Sequence, residues 1–106
     1  MKKYEIEITK EALRDMEKIY NYIANELLSP DYAIGQYNRI ADAIMQLDIF
    51  PEKFRILESE PEKRRKIRRM SIDNYSIFYV IRDDKVIITS VLYSASNIQE
   101  KLKSNL

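Results

Sequence analysis

From Tyr4 to Ile8 the chain alternates apolar and charged side chains, which predicts a half-buried strand. Thr9 follows as a helix cap, with Glu11 in the first turn beside the positive end of the helix dipole. Leu13, Met16, Tyr20, Ile23 and Leu27 then recur at three- and four-residue steps, widened by Ala12 and Ile19, and so predict one amphipathic helix. Ser29, Pro30 and Asp31 form a second helix start. Ala33, Tyr37, Ile40, Ile44 and Leu47 make the second stripe, which Pro51 closes by disfavouring helix at Phe50. Gly35 is the single glycine and sits inside this helix at a cost of about 1 kcal/mol against Ala. A close helix–helix approach would explain it. The short connection between the stripes predicts antiparallel helices.

Residues 52–62 are polar and read as a loop. Three strand-like runs follow: Arg64 to Met70, Tyr75 to Arg82 and Val86 to Tyr93. "SIDN" separates the first two, and Asp83-Asp84 predicts a tight hairpin between the last two. The last two runs are apolar on both alternations, as in strands covered on both faces. Ser96 with Gln99 three residues on makes a capping box for a short helix carrying Ile98 and Leu102. The pattern therefore predicts one α+β domain over residues 1–106, in the order β-α-α-β-β-β-α. A twisted antiparallel sheet carries the N-terminal helical hairpin on one face, and the other face is left open.

Charge changes this picture. The net value is only +1, but residues 1–52 hold 6 Lys/Arg against 10 Asp/Glu, and residues 53–106 hold 12 against 7. Such a split points the basic half towards an anionic partner. The densest run is Lys63, Arg64, Arg65, Lys66, Arg68 and Arg69, at the start of the first predicted C-terminal strand. Alternation places Arg65, Ile67 and Arg69 on one face and Arg64, Lys66, Arg68 and Met70 on the other. Arginines fixed on a strand are pre-organised phosphate donors, and sheets bearing cations and aromatics are platforms for RNA. The competing explanation is an edge strand guarded by charge against aggregation.

The chain has neither Cys nor His, which removes thiol chemistry, histidine acid–base work and nearly all zinc sites. No cofactor or metal is called for. The N-terminal residues show no apolar run suited to a signal peptide or membrane span, so a soluble, cytoplasmic protein with no membrane partner is expected.

Three stretches together resemble the RelE/ParE superfamily of bacterial type II toxin–antitoxin toxins: "YEIEITKEALRDMEKIYNYI", "SPDYAIGQYNRIADAIMQLDIFP" and "IRRMSIDNYSIFYVIRDDKVIITSVLYS". They cover almost the whole chain. The resemblance implies a compact toxin neutralised by a cognate antitoxin in a hetero-oligomer. It also implies one of two activities: cleavage of mRNA on the ribosome, or inhibition of DNA gyrase without catalysis. A degenerate module that only binds an antitoxin is a third outcome. By position, Arg68 matches the arginine of the family's apolar-Arg-x-apolar strand, with Arg69 its neighbour in register, and Tyr93 falls where relatives place functional groups. The chain departs from many relatives after Tyr93. They carry a basic run there, and this chain reads Ser94-Ala95-Ser96-Asn97.

For a nuclease, the RNA 2′-hydroxyl can attack the adjacent phosphate without a metal. Arg68 and Arg69 are then the candidates for charge stabilisation. Lys53, Arg55 and Lys63 are candidates for clamping the RNA backbone, with Arg65 and Arg82 as compensating cations. Tyr93 is either an acid or stacking group or an amphipathic strand residue with its hydroxyl in water. Glu58 or Glu60 is the candidate base. Tyr75 and Tyr79 are assigned to the core, and Tyr20, Tyr22, Tyr32 and Tyr37 to packing or to the antitoxin face.

Overall fold

A computed structural model describes residues 2–96 and 98–105. Strand β1 (Glu5–Ile8) leads into helix α1 (Lys10–Asn21) through Thr9. The Thr9 hydroxyl accepts the Ala12 N–H at 3.2 Å and donates to the Ile88 carbonyl at 2.9 Å, so one side chain caps the helix and ties it to the sheet. Helix α2 (Pro30–Met45) runs back beside α1. Pro30 occupies its first turn as expected, although the Ser29 side chain makes no capping bond. Then come β2 (Arg68–Ile72), β3 (Tyr75–Arg82), β4 (Lys85–Tyr93) and α3 (Ile98–Asn105).

The sheet order is β1-β4-β3-β2. Strands β2, β3 and β4 pair antiparallel as predicted, but β1 lies parallel to β4, with Ile6 opposite Val86 and Ile8 opposite Ile88. The sheet is therefore mixed and not purely antiparallel. Alternation specifies which side chains share a face; it does not specify a strand's partner. The helical hairpin carries the chain away after β1, and the edge of β4 is where that strand's pairing groups are met. Between Phe78 and Tyr79 the β3–β4 register shifts by one residue, and the Thr89 hydroxyl donates to the Phe78 carbonyl there.

Met16 from α1, Ile40, Ile44 and Leu47 from the second stripe, and Met70, Ile77, Tyr79, Val86, Ile88 and Val91 from the sheet form the main core. Each fully buried apolar side chain of this size contributes about 1.5–3 kcal/mol. The opposite face is not left open. Ile67, Phe78, Val80, Leu92 and Leu102 form a second core, with Leu57, Ile87 and Ile98 packed against it, so α3 and the segment before β2 cover it in part. A strand run that is apolar on both alternations requires such a cover.

Two stripe positions fail. Leu13 is exposed, and Leu27 is 58% exposed. After Asn21 the helix widens into a π turn (Tyr22–Glu26), with the Leu27 N–H reaching back to the Tyr22 carbonyl, five residues away. That surplus residue rotates Leu27 off the buried stripe. Gly35 has no close neighbour helix to explain it: an added Cβ would meet only the Arg39 guanidinium, at 3.4 Å. The capping box at Ser96 cannot be followed, because the Gln99 side chain lies outside the described residues. The Ser96 hydroxyl donates to the Tyr93 carbonyl at 2.5 Å.

The cationic run is the largest correction. The expected strand from Arg64 begins only at Arg68. Residues Ser59 to Lys66 coil in turns, with the Lys63 N–H on the Ser59 carbonyl and the Arg65 N–H on the Pro61 carbonyl. Lys66 has φ 58°, a left-handed conformation that breaks any strand. Arg64, Arg65 and Lys66 therefore sit on exposed turns and do not alternate across the sheet. Only Arg68 and Arg69 keep the predicted alternation.

Candidate functional site

Arg68 shares the helix-side face with Met70, beside Tyr79 on β3. Its Nη1 donates to the carbonyls of Glu52, at 3.0 Å, and Phe54, at 2.7 Å. Two neighbours hold the same turn. The Tyr79 hydroxyl donates to the Pro51 carbonyl at 2.6 Å, and the Tyr4 hydroxyl donates to Glu52 Oε2 at 2.8 Å. Burial pushes the Tyr79 phenol up to about 12. The Tyr4 hydrogen bond, with Arg68 and Lys2 nearby, holds the Glu52 carboxyl below its usual range. Backbone bonds extend the seam: the Arg69 N–H to the Arg55 carbonyl at 3.1 Å and the Leu57 N–H to the Ile67 carbonyl at 2.8 Å. Arg68 thus anchors the polar loop along the β2 edge.

Arg69 points to the opposite face. Its Nε donates to Ser76 Oγ at 3.0 Å, its guanidinium lies 5.7 Å from the Phe78 ring centre, and Ser76 Oγ is 2.8 Å from Ser94 Oγ. The anchored loop and the β2 edge enclose a shallow groove of about 560 Å³. Lys53, Arg55 and Arg69 line it, with Glu58 and Ser71. Three of the sequence-predicted cations and one predicted carboxylate are therefore brought together. Local chemistry fixes their places: Phe50 in a left-handed conformation and Pro51 after it turn the chain, and Phe54 is half-buried against the core with Lys53 Nζ 5.3 Å from its ring centre, while Lys53 and Arg55 stay exposed.

The remaining predicted residues lie elsewhere. Lys63 and Arg65 are on the exposed turns, and Arg82 is at the β3–β4 hairpin opposite Lys85. Glu60 faces Arg64 at 3.6 Å. Tyr93 shares the helix-side face with Arg68 but pairs with Tyr75, whereas Arg68 pairs with Tyr79. Four residues along the strands, about 13 Å, and two strand spacings across the sheet, about 10 Å, separate them. Arg68, Arg69 and Tyr93 do not form one centre.

Tyr93 instead belongs to a second groove of about 750 Å³ that sequence reading missed. Tyr22 and Tyr32 from the helical hairpin meet Tyr75 and Tyr93 from the sheet, with Lys18, Lys101 and Asn74 around them. Tyr75 and Tyr93 contact edge to face, centroids 5.8 Å apart. Burial first, then the neighbouring Tyr32, Tyr93 and Tyr22, raises the Tyr75 pKa. Tyr20 and Tyr37 pair within the hairpin, as packing residues should. Tyr22 and Tyr32 fall outside both apolar stripes, and nothing in the sequence brings them together with Tyr75 and Tyr93.

The family model described as "ParE toxin of type II toxin-antitoxin system, parDE" matches residues 6–98. The chain belongs to the ParE toxin family. Within the broader RelE/ParE superfamily, the fold of this ParE-family chain is similar to two solved structures. One is from the chromosomal ParDE toxin–antitoxin system of P. aeruginosa, with a TM-score of 0.71 and 16% identity over 83% of this chain and 92% of that one. The other is from the RelBE2 toxin–antitoxin complex of Mycobacterium tuberculosis, with a TM-score of 0.63 and 21% identity over 91% of this chain and 97% of that one. A search of curated proteins returned no match. Among the described residues of this ParE-family toxin, no helix is long and apolar enough to cross a membrane.

Proposed function

We propose that this type II toxin is an antitoxin-controlled, ribosome-dependent mRNA endoribonuclease acting in the cytoplasm. The observation that carries the reading is the groove in which Lys53, Arg55, Arg69 and Glu58 meet. Three cations around one shallow groove suit the phosphates of an extended strand, and Arg69 is steered by its Nε bond to Ser76. In the reaction the RNA 2′-oxygen attacks the adjacent phosphorus and the 5′-oxygen of the next nucleotide leaves, giving a 2′,3′-cyclic phosphate and a 5′-hydroxyl. Arg69, with Lys53 and Arg55, neutralises the charge that builds on the phosphoryl oxygens. Glu58 takes the 2′-hydroxyl proton, water gives a proton to the leaving 5′-oxygen, and Arg68 positions the loop that carries Lys53 and Arg55. The ribosome holds the mRNA in line. The antitoxin binds the toxin in a hetero-oligomer and keeps it from its target.

Purified toxin incubated with programmed ribosomes should cut mRNA. Arg69→Ala should lower the rate by about 10²–10³, the loss seen when one preorganised charge-stabilising donor is removed. Intact mRNA in the presence of a toxin that still arrests growth sinks the reading.

The placement of Arg68 and Tyr93 outside the groove, together with the uncharged Ser94-Ala95-Ser96-Asn97 stretch, favours a second reading. In it the toxin binds DNA gyrase and has no catalytic step. Supercoiling assays decide between them: inhibited gyrase with accumulated cleaved DNA supports the second reading, and unaffected gyrase disposes of it. Growth arrest on expression without the antitoxin excludes a degenerate, antitoxin-binding module.

A further inference from the structure

The tyrosine groove has an aliphatic lining of Ile19, Ile23, Leu27, Val91 and Leu92, and four tyrosine rings are set into it. Its rings are held from behind. Arg39 lies over the Tyr32 ring at 5.8 Å and is itself fixed by Asp73 Oδ2, 2.9 Å from its Nε. Gln36, almost fully buried, donates to the same Asp73 oxygen at 2.9 Å. Tyr93 is braced edge-on by Tyr75. Yet Tyr22, Tyr32 and Tyr93 are each at least half exposed, so ring area remains open to a ligand.

The rim is cationic. Lys18 from α1 and Lys101 from α3 border the groove. Among the described residues Asp15 is its one acidic lining residue, and it accepts the Val91 backbone N–H at 3.0 Å and so is turned to the sheet. Asn74 brings an amide with both donor and acceptor atoms. Aromatic plates, an amide and flanking ammonium groups are the elements that recognise an unpaired base joined to a phosphate.

Position adds a second argument. Ser71 lines the cationic groove and Asn74 lines the tyrosine groove. Three residues span at most about 11 Å of chain. The turn between them is led by Asp73, whose charge is taken up by Arg39. The two grooves lie on opposite faces of the sheet, so a single strand that occupies both wraps around the β2–β3 turn.

We infer that the tyrosine groove holds an unpaired nucleobase of a single-stranded RNA, with Tyr22, Tyr32 and Tyr93 as the stacking surfaces and Lys18 and Lys101 on the adjacent phosphate. The inference rests on the RNA-binding reading above and deepens it, since it gives the substrate strand a second contact on the far side of the turn from the phosphate-binding cations.

The test uses the full chain, whose lack of tryptophan lets its tyrosine fluorescence be read directly. Two short single-stranded RNAs are titrated, both 2′-O-methylated against cleavage. One is intact, and the other has a single abasic position in the nucleotide predicted to enter the groove. Adenosine monophosphate serves as the free-nucleotide comparison. The intact strand should quench the fluorescence, and Tyr32→Ala should weaken its binding by roughly 5- to 150-fold, the loss of one stacked base. The abasic strand should bind the wild type as weakly and be indifferent to Tyr32→Ala. Adenosine monophosphate alone should bind far more weakly than the intact strand. Equal binding of intact and abasic strands overturns the inference. So does equal weakening of both by Tyr32→Ala. Its failure is distinct from failure of the nuclease reading. If mRNA is cut but the abasic strand binds normally, only this inference falls. If the base is stacked but ribosomal mRNA stays whole, only the nuclease falls.

Discussion

Arg68 and Arg69 are adjacent in sequence and have different tasks. Arg68 donates twice to backbone carbonyls of the polar loop, and Arg69 faces a groove. Charge-assisted hydrogen bonds of this kind are worth about 1.5–3 kcal/mol when buried, and these are only partly so. Arg68→Ala should therefore cost on the order of 1–3 kcal/mol, seen as a lower urea midpoint at unchanged slope. Arg69→Ala removes one bond to Ser76 Oγ, which keeps Ser94 Oγ as a partner, and should lower the midpoint less than Arg68→Ala does while RNA binding falls. Tyr79 sets an alkaline limit. Its pKa rises from 10.0 to about 12 on folding, so the folded chain keeps a proton that the unfolded chain gives up. Its contribution is complete below about pH 10 and is lost as pH climbs through about 12. Tyr79→Phe should flatten that alkaline decline without abolishing it, because Tyr4 and Tyr75 are raised as well. Asp73 acts at the opposite end. Its hydrogen bonds from Arg39 and then Gln36 lower its pKa, so its contribution is present above the ordinary aspartate range and fades as pH falls. Asp73→Asn tolerates the φ of 53° and should make acid unfolding less steep.

At the level of elements, helix α2 carries a removable defect. Gly35 meets nothing but the end of a flexible Arg39 side chain, so Gly35→Ala should stabilise the fold by up to about 1 kcal/mol and raise Tm by a few degrees. Elements set by local chemistry were readable in sequence. The Thr9 cap, the Pro30 start, the Asp83-Asp84 hairpin and the two central strands each depend on residues a few positions apart. What escaped depends on distant partners or on an unusual dihedral angle. The parallel pairing of β1 is made with residues about eighty positions away. Nothing in "RRKI" announces that Lys66 adopts a left-handed conformation, and that one angle moves three cations from a strand to a turn. The candidate groove was legible as a set of residue types. Its assembly was not, because the bonds from Arg68 to Glu52 and Phe54 span 16 and 14 residues.

Over the whole molecule, the excess of positive charge in the C-terminal half becomes a measurable quantity. Three cations line the groove, and each phosphate neutralised on a single strand contributes about 0.7 to the salt dependence. From this groove alone the logarithm of RNA affinity should fall against the logarithm of salt with a slope of about −2, steeper by about 0.7 where Lys18 and Lys101 hold a further phosphate, and Arg69→Ala should reduce the slope by about 0.7. A slope near zero would contradict a phosphate-binding role for this groove. The π turn at Tyr22–Glu26 matters on the same scale. It holds one residue more than an α-helix of equal reach. A homologue shorter by a single amino acid there would run straight, tuck its Leu27 equivalent inward and lose one wall of the aromatic cleft. Length variation at that point would divide the lineage into chains that keep this cleft and chains that have dispensed with it, while leaving the charged groove on the other side of the sheet untouched.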